Sequence, residues 1–113
     1  MKEDETIGEP AIKAHVDVGV CRFTCDIKAY LLNGKVRCVL ESECPCVAEF
    51  NKRLDDIDPC TALKMPYCEN EIYTLASDIL SHSTCPIPIA VIKCVEIASG
   101  MALARDVHIK FEK

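Results

Sequence analysis

Cys44 and Cys46 flank a single proline, Cys21 and Cys25 bracket Arg22-Phe23-Thr24, and Cys85 opens a Cys-Pro-Ile-Pro run. A thiolate is both a strong nucleophile and a soft ligand. Thiols in these patterns can hold zinc or an iron–sulfur cluster, or hand a persulfide from one partner to another. The chain carries nine cysteines in 113 residues, and an odd number prevents complete pairing in disulfides. The problem is to separate the thiols that pack from those that react.

Cys38 alternates with Val36 and Leu40, which marks it as a small buried hydrophobe. Cys94 lies inside an apolar run and is read the same way. Cys60 and Cys68 flank an irregular stretch, and no short ligand spacing commits them to a bridge or a metal. Cys85 is different because Pro86 follows it. Proline suits the first position of a helix, so Cys85 is expected at the N-cap. There the dipole and the unpaired N–H groups would lower its pKa and make it the most reactive thiol. Cys44-Pro45-Cys46 opens an earlier helix in the same manner, and its two sulfurs can chelate one ion or relay a persulfide. His82 lies three residues before Cys85 and can serve as a fourth ligand, a base or a solvated loop residue. Asp26, beside Cys25, can ligate or tune a metal site, or simply solvate a strand face. His15 and His108 read as ordinary polar-face residues. No glycine-rich phosphate loop, Ser/His/Asp set or pair of carboxylates emerges, so a non-enzymatic role is expected.

The elements that must position these thiols follow from periodicity. Ile12 to Val20 alternates apolar with polar and predicts a half-buried strand. Alternation resumes at Ile27, Ala29 and Leu31, Asn33-Gly34 supplies a tight turn, and Val36 to Glu41 returns. Helical spacing follows from Pro45 through Ile57, where Asp58-Pro59 predicts a stop. A second helix is expected from about Glu69 to Leu80, and a third, apolar almost all round, from Pro86 to Ser99 with Gly100 as its C-terminal cap. Val107, Ile109 and Phe111 alternate with His108, Lys110 and Glu112, predicting a final strand. The expected fold is α+β: a three-stranded antiparallel meander, three helices packed on one face and a C-terminal strand, in the order βββαααβ. Residues 1–10 read as a flexible acidic lead and residues 11–113 as a single domain. In a meander the starts of the second strand and the third helix, with the end of the third strand, can share one end of the sheet. That would gather Cys21, Cys25, Cys44, Cys46 and Cys85.

Composition narrows the partners. A formal charge of −5 and 5% aromatic residues disfavour a nucleic-acid surface. Lys93 and Glu96 interrupt the longest apolar run, so no membrane span is expected. The acidic start Met1-Lys2-Glu3-Asp4-Glu5-Thr6 lacks the regions of a signal peptide, and a cytoplasmic protein with reduced thiols is expected.

Over residues 20–98, the order of the cysteine stations on a βββααα frame resembles the NifU/IscU type of iron–sulfur scaffold. Cys21 or Cys25, Cys44 or Cys46, and Cys85 occupy the stations in order. The resemblance implies a [2Fe–2S] cluster or a zinc ion held by these thiols. The chain departs from that family in having Cys44-Pro45-Cys46 for a glycine-rich segment and Thr84 where a histidine precedes the last cysteine. Cys85-Pro86-Ile87-Pro88 is similar to the Cys-Pro-x-Pro motif of TusA-type sulfur carriers, which implies a persulfide on Cys85 and sulfur donor or acceptor proteins as partners. The whole chain also resembles a small group of prokaryotic, largely archaeal proteins, which implies no activity. Three readings follow: a thiol-rich site for iron–sulfur or zinc; a sulfur carrier in which Cys85 is the nucleophile and Cys44 or Cys46 resolves it; and a metal-free interaction domain with structural cysteines.

Overall fold

Alternating side chains need a sheet with one wet and one dry face, and the computed structural model, which describes residues 8–113, contains one. Strands β1 (Ile12–Asp17), β2 (Thr24–Leu32) and β3 (Lys35–Ser42) pair antiparallel in the order β1-β2-β3. The register sets Val16 and Ser42 on either side of Cys25 at one end of the sheet, and Leu32 opposite Lys35 at the other. There Asn33 (φ 52°) and Gly34 (φ 82°) both take the left-handed conformation that a two-residue hairpin turn needs. Most of the acidic lead expected over residues 1–10 lies outside the described residues; Gly8, Glu9 and Pro10 have no regular structure.

The dry face carries Cys25, Ile27 and Ala29 from β2 and Val36, Cys38 and Leu40 from β3, all buried. Helices α1 (Pro45–Arg53), α3 (Glu71–Ile79) and α4 (Ile87–Ala98) cover it with Val47, Phe50, Ile72, Ile87, Val91 and Val95. Helix α1 lies on β3, and α4 lies on β1 and β2. Each of these large side chains stabilises the fold by about 1.5–3 kcal/mol on burial. The α+β meander with helices on one face is therefore the architecture of the chain.

Three local expectations are corrected. Helix α1 does not run on to Asp58. It ends at Arg53, Leu54 turns extended, and Ile57 forms an isolated bridge to Val36 with backbone hydrogen bonds of 2.9 and 2.8 Å. Asp58-Pro59 opens a helix instead of closing one. The Asp58 carboxylate accepts from the Cys60 N–H at 2.9 Å, and Pro59 leads the one-turn α2 (Pro59–Ala62). The dipeptide that forbids helix before it also favours helix after it. A 3-10 turn, Tyr67–Glu69, then leads to Asn70, the N-cap of α3.

Asn70 is the one buried polar residue of the described chain. Its Oδ1 accepts from the Ile72 and Tyr73 N–H groups at 2.9 and 3.3 Å. Its Nδ2 donates to the Ala62 and Lys64 carbonyls at 2.8 and 3.1 Å. One amide thus caps α3 and ties it to the end of α2.

The third correction concerns the C-terminus. Helix α4 closes with Gly100 (φ 82°), whose N–H bonds to the Ile97 carbonyl while that of Met101 bonds to Glu96, a Schellman cap. No strand follows: residues 103–113 have no regular structure, and Val107, Ile109 and Phe111 are exposed. Alternation specifies which side of a strand is apolar but not which edge receives it, and no edge of this sheet pairs with the segment. No helix among the described residues is long and apolar enough to cross a membrane.

Candidate thiol site

The end of the sheet opposite the Asn33-Gly34 turn collects the boundary thiols. Between β1 and β2 the Val18 N–H bonds to the Phe23 carbonyl at 3.1 Å, and the Arg22 N–H bonds to that of Gly19 at 2.8 Å. The resulting turn, with Gly19 at φ 103° and Arg22 at φ 65°, leaves Cys21 exposed at its tip. Across the sheet β3 ends at Ser42, whose hydroxyl accepts from the Cys44 N–H at 3.2 Å. Cys44 is the N-cap of α1, with Pro45 in the first turn, and its thiol makes no capping hydrogen bond. Cys44 and Cys46 are both half-buried.

Cys85 enters from the helix layer. Its backbone N–H closes a turn onto the His82 carbonyl at 3.2 Å. Helix α4 begins one residue later than expected, with Pro86 at the N-cap, so Cys85 stands just outside the helix. Burial pushes its thiol up from the ordinary value, and the Ile87 N–H, which hydrogen-bonds to it, opposes that only in part. The charges of Cys44, Cys21 and Cys46 push it up further. The expectation that the helix start would depress this pKa is therefore overturned by desolvation. The same interactions put Cys44, Cys21 and Cys46 within electrostatic range of Cys85, as they do Cys25.

His82 adjoins this group. The Cys46 sulfur is 4.0 Å from the Ser81 hydroxyl, which is 3.4 Å from His82 Nδ1. Ser81 is thus a link between thiol and imidazole that the sequence did not single out; its signal was its place next to His82.

Two expected members differ in burial or facing. Cys25 points into the core at 1% exposure, where burial first, then the Asp26 charge, pushes it up to about 12. Cys85 and Cys94 lie near it on the helix side and raise it slightly more. Asp26, one residue on, faces the opposite side of the sheet and pairs with His15 Nδ1 at 2.7 Å. Among the remaining thiols, Cys38 and Cys94 are core, the latter pushed up to about 11 by burial, while Cys60 and Cys68 are exposed on α2 and the 3-10 turn.

The cluster is loose. Among the described residues no three His, Cys, Asp or Glu side chains are set to hold one metal ion. The chain belongs to a family of unknown function, DUF6951, whose model matches residues 12–111. No curated protein matches the chain, and no solved structure does. The family match takes in all the boundary thiols, from the β1–β2 turn to the start of α4.

Proposed function

We propose that this protein holds an iron–sulfur centre between Cys21, Cys44, Cys46 and Cys85, and acts in the cytoplasm as a scaffold or carrier for it. What supports this reading is the placing of Cys44, Cys21 and Cys46 at one end of the sheet, near enough to Cys85 for their charges to act on it. Thiolates select soft or borderline metals, and a [2Fe–2S] cluster takes four of them. Bound there, the centre would supply transferable iron and sulfide. The chain's own part is to present two thiols from the start of α1, one from the β1–β2 turn and one from the mouth of α4. His82 stands ready beside Cys46 through Ser81 as a replacement ligand. A protein that donates or accepts sulfur would dock at this end.

A sulfur carrier using Cys85 is the second reading. The Ile87 N–H on its sulfur favours it, and burial of the thiol opposes it.

Anaerobic reconstitution with iron and sulfide tests the proposal. The expected product has visible charge-transfer absorption and iron and acid-labile sulfide in equal amounts, and it is lost in the Cys44→Ser and Cys85→Ser variants but kept in Cys60→Ser. A folded protein that takes up no iron or sulfide would sink the reading. Transfer of label from a persulfide donor to Cys85 would then favour the carrier.

A further inference from the structure

The two edges of the sheet are finished differently. On β3, Val36 exchanges backbone hydrogen bonds with Ile57, and the Leu40 N–H donates to Asn51 Oδ1 at 2.9 Å. Side chain and loop thus occupy outward-facing groups of that edge. On the other side β1 has β2 as its only strand neighbour among the described residues. Because the Val18 N–H is spent on Phe23, alternation turns the N–H and C=O groups of Lys13, His15 and Asp17 away from β2, toward the open edge. No backbone group among the described residues meets them there. An open edge of this kind is a template for another strand.

The same chain carries a strand-like alternation with no sheet to join. Beyond the Schellman cap, Val107, Ile109 and Phe111 are 59%, 78% and 89% exposed. Between them His108 and Lys110 keep the period of two. The family model runs to residue 111, so this segment belongs to the shared domain.

We infer that residues 105–112 are an arm that adds as a fourth strand, antiparallel, to the β1 edge of a second copy of this chain. Register and reach both support this. Setting Phe111 beside Ala14, Ile109 beside Val16 and Val107 beside Val18 continues the apolar face. It also opposes Glu112 to Lys13 and His108 to Asp17. The parallel alternative with Val107, Ile109 and Phe111 beside Ile12, Ala14 and Val16 opposes Glu112 to Asp17 and His108 to Lys13, while Lys110 meets His15 in both registers. The antiparallel arm must enter at the thiol end of β1. Helix α4 starts at that end, near Cys44 and Cys21, and Gly100 follows its last turn, so Gly100 lies a full helix length from that start. The six residues 101–106 reach about 20 Å fully extended, and α4 itself is about 18 Å long, with a layer of side chains still to cross. A chain cannot readily serve its own edge in this register, whereas a neighbour can. Two copies exchanging arms cover both open edges and close as a symmetric pair.

Light scattering on the full chain over a concentration series, with hydrogen exchange of the arm amides, tests the inference. The expected result is a species of twice the monomer mass with residues 105–112 slow to exchange. Ile109→Asp changes a side chain exposed in the single chain, and should halve the mass and free the arm without unfolding the body. His15→Pro removes one outward N–H from β1 but no bond to β2, and should do the same. A chain that stays monomeric at every concentration overturns the inference, whether its arm exchanges freely or is protected on its own sheet. A dimer that survives both substitutions overturns it equally.

Discussion

Cys21 and Cys25 are separated by three residues and share almost nothing. Cys21 sits on an exposed turn beside Cys85, whereas Cys25 is sealed under the helices with its thiol pushed up to about 12. The contrast extends to the whole set. Cys25, Cys38 and Cys94 replace small hydrophobes in the dry interior, and Cys21, Cys44, Cys46 and Cys85 line the mouth of the molecule where strands end and helices begin. Burial acts on both groups in degree, since Cys85 is also raised. A thiol at a helix start is therefore not activated by that position alone; desolvation there outweighs the nearby N–H.

The division is open to direct attack. The largest difference is expected from a carboxylate. Cys38→Asp places a charge with no solvent access in the core and should cost several kcal/mol or abolish folding. Cys21→Asp on the exposed turn should stay within about 0.5 kcal/mol in urea unfolding. Equal losses would erase the distinction. A smaller effect is expected in alkylation of the native, metal-free protein. Cys21 should be modified early, and Cys25, Cys38 and Cys94 only on unfolding. Cys85 should lag at neutral pH and accelerate as pH rises, because burial keeps it protonated. Peptide mapping that found Cys25 modified before Cys21 would reverse the assignment.

The smallest effect concerns alkaline pH. In the unfolded chain Cys25 and Cys94 lose their protons near the ordinary value of 9.0, but in the folded protein only near about 12 and about 11. Below pH 9.0 both states hold the protons, and the stabilisation is fully present. Through the window above it, the unfolded chain sheds protons that the folded chain keeps, so stability falls as pH rises. Unfolding midpoints should decline from about pH 9 upward, and Cys25→Ala should flatten that decline. An unchanged slope in the variant would mean that Cys25 is not shielded in solution.

Much of the frame was legible because its signals are local. Alternation set the three strands, Asn33-Gly34 set their hairpin, and apolar spacing with Gly100 set α4. The placement of Cys25 was legible too, since it keeps step with Ile27 and Ala29. Reading it with Cys21 as a pair hid that alternation. Asp58-Pro59 was misread because proline constrains the residues on both of its sides and only one side was considered. The bridge from Ile57 to Val36 and the arm beyond Gly100 were beyond reach for another reason. Both depend on which edge of the sheet is free, and that is decided by the whole fold and not by any window of residues.

Asn70 shows how a single position can lose its freedom to vary. Its planar amide offers an acceptor to the first turn of α3 and a donor to two carbonyls behind it. Aspartate would keep the first role and turn the second into repulsion, serine could cap but not span the gap, and glutamine would carry the same group one methylene too far. Asparagine supplies both groups at the reach these four bonds need.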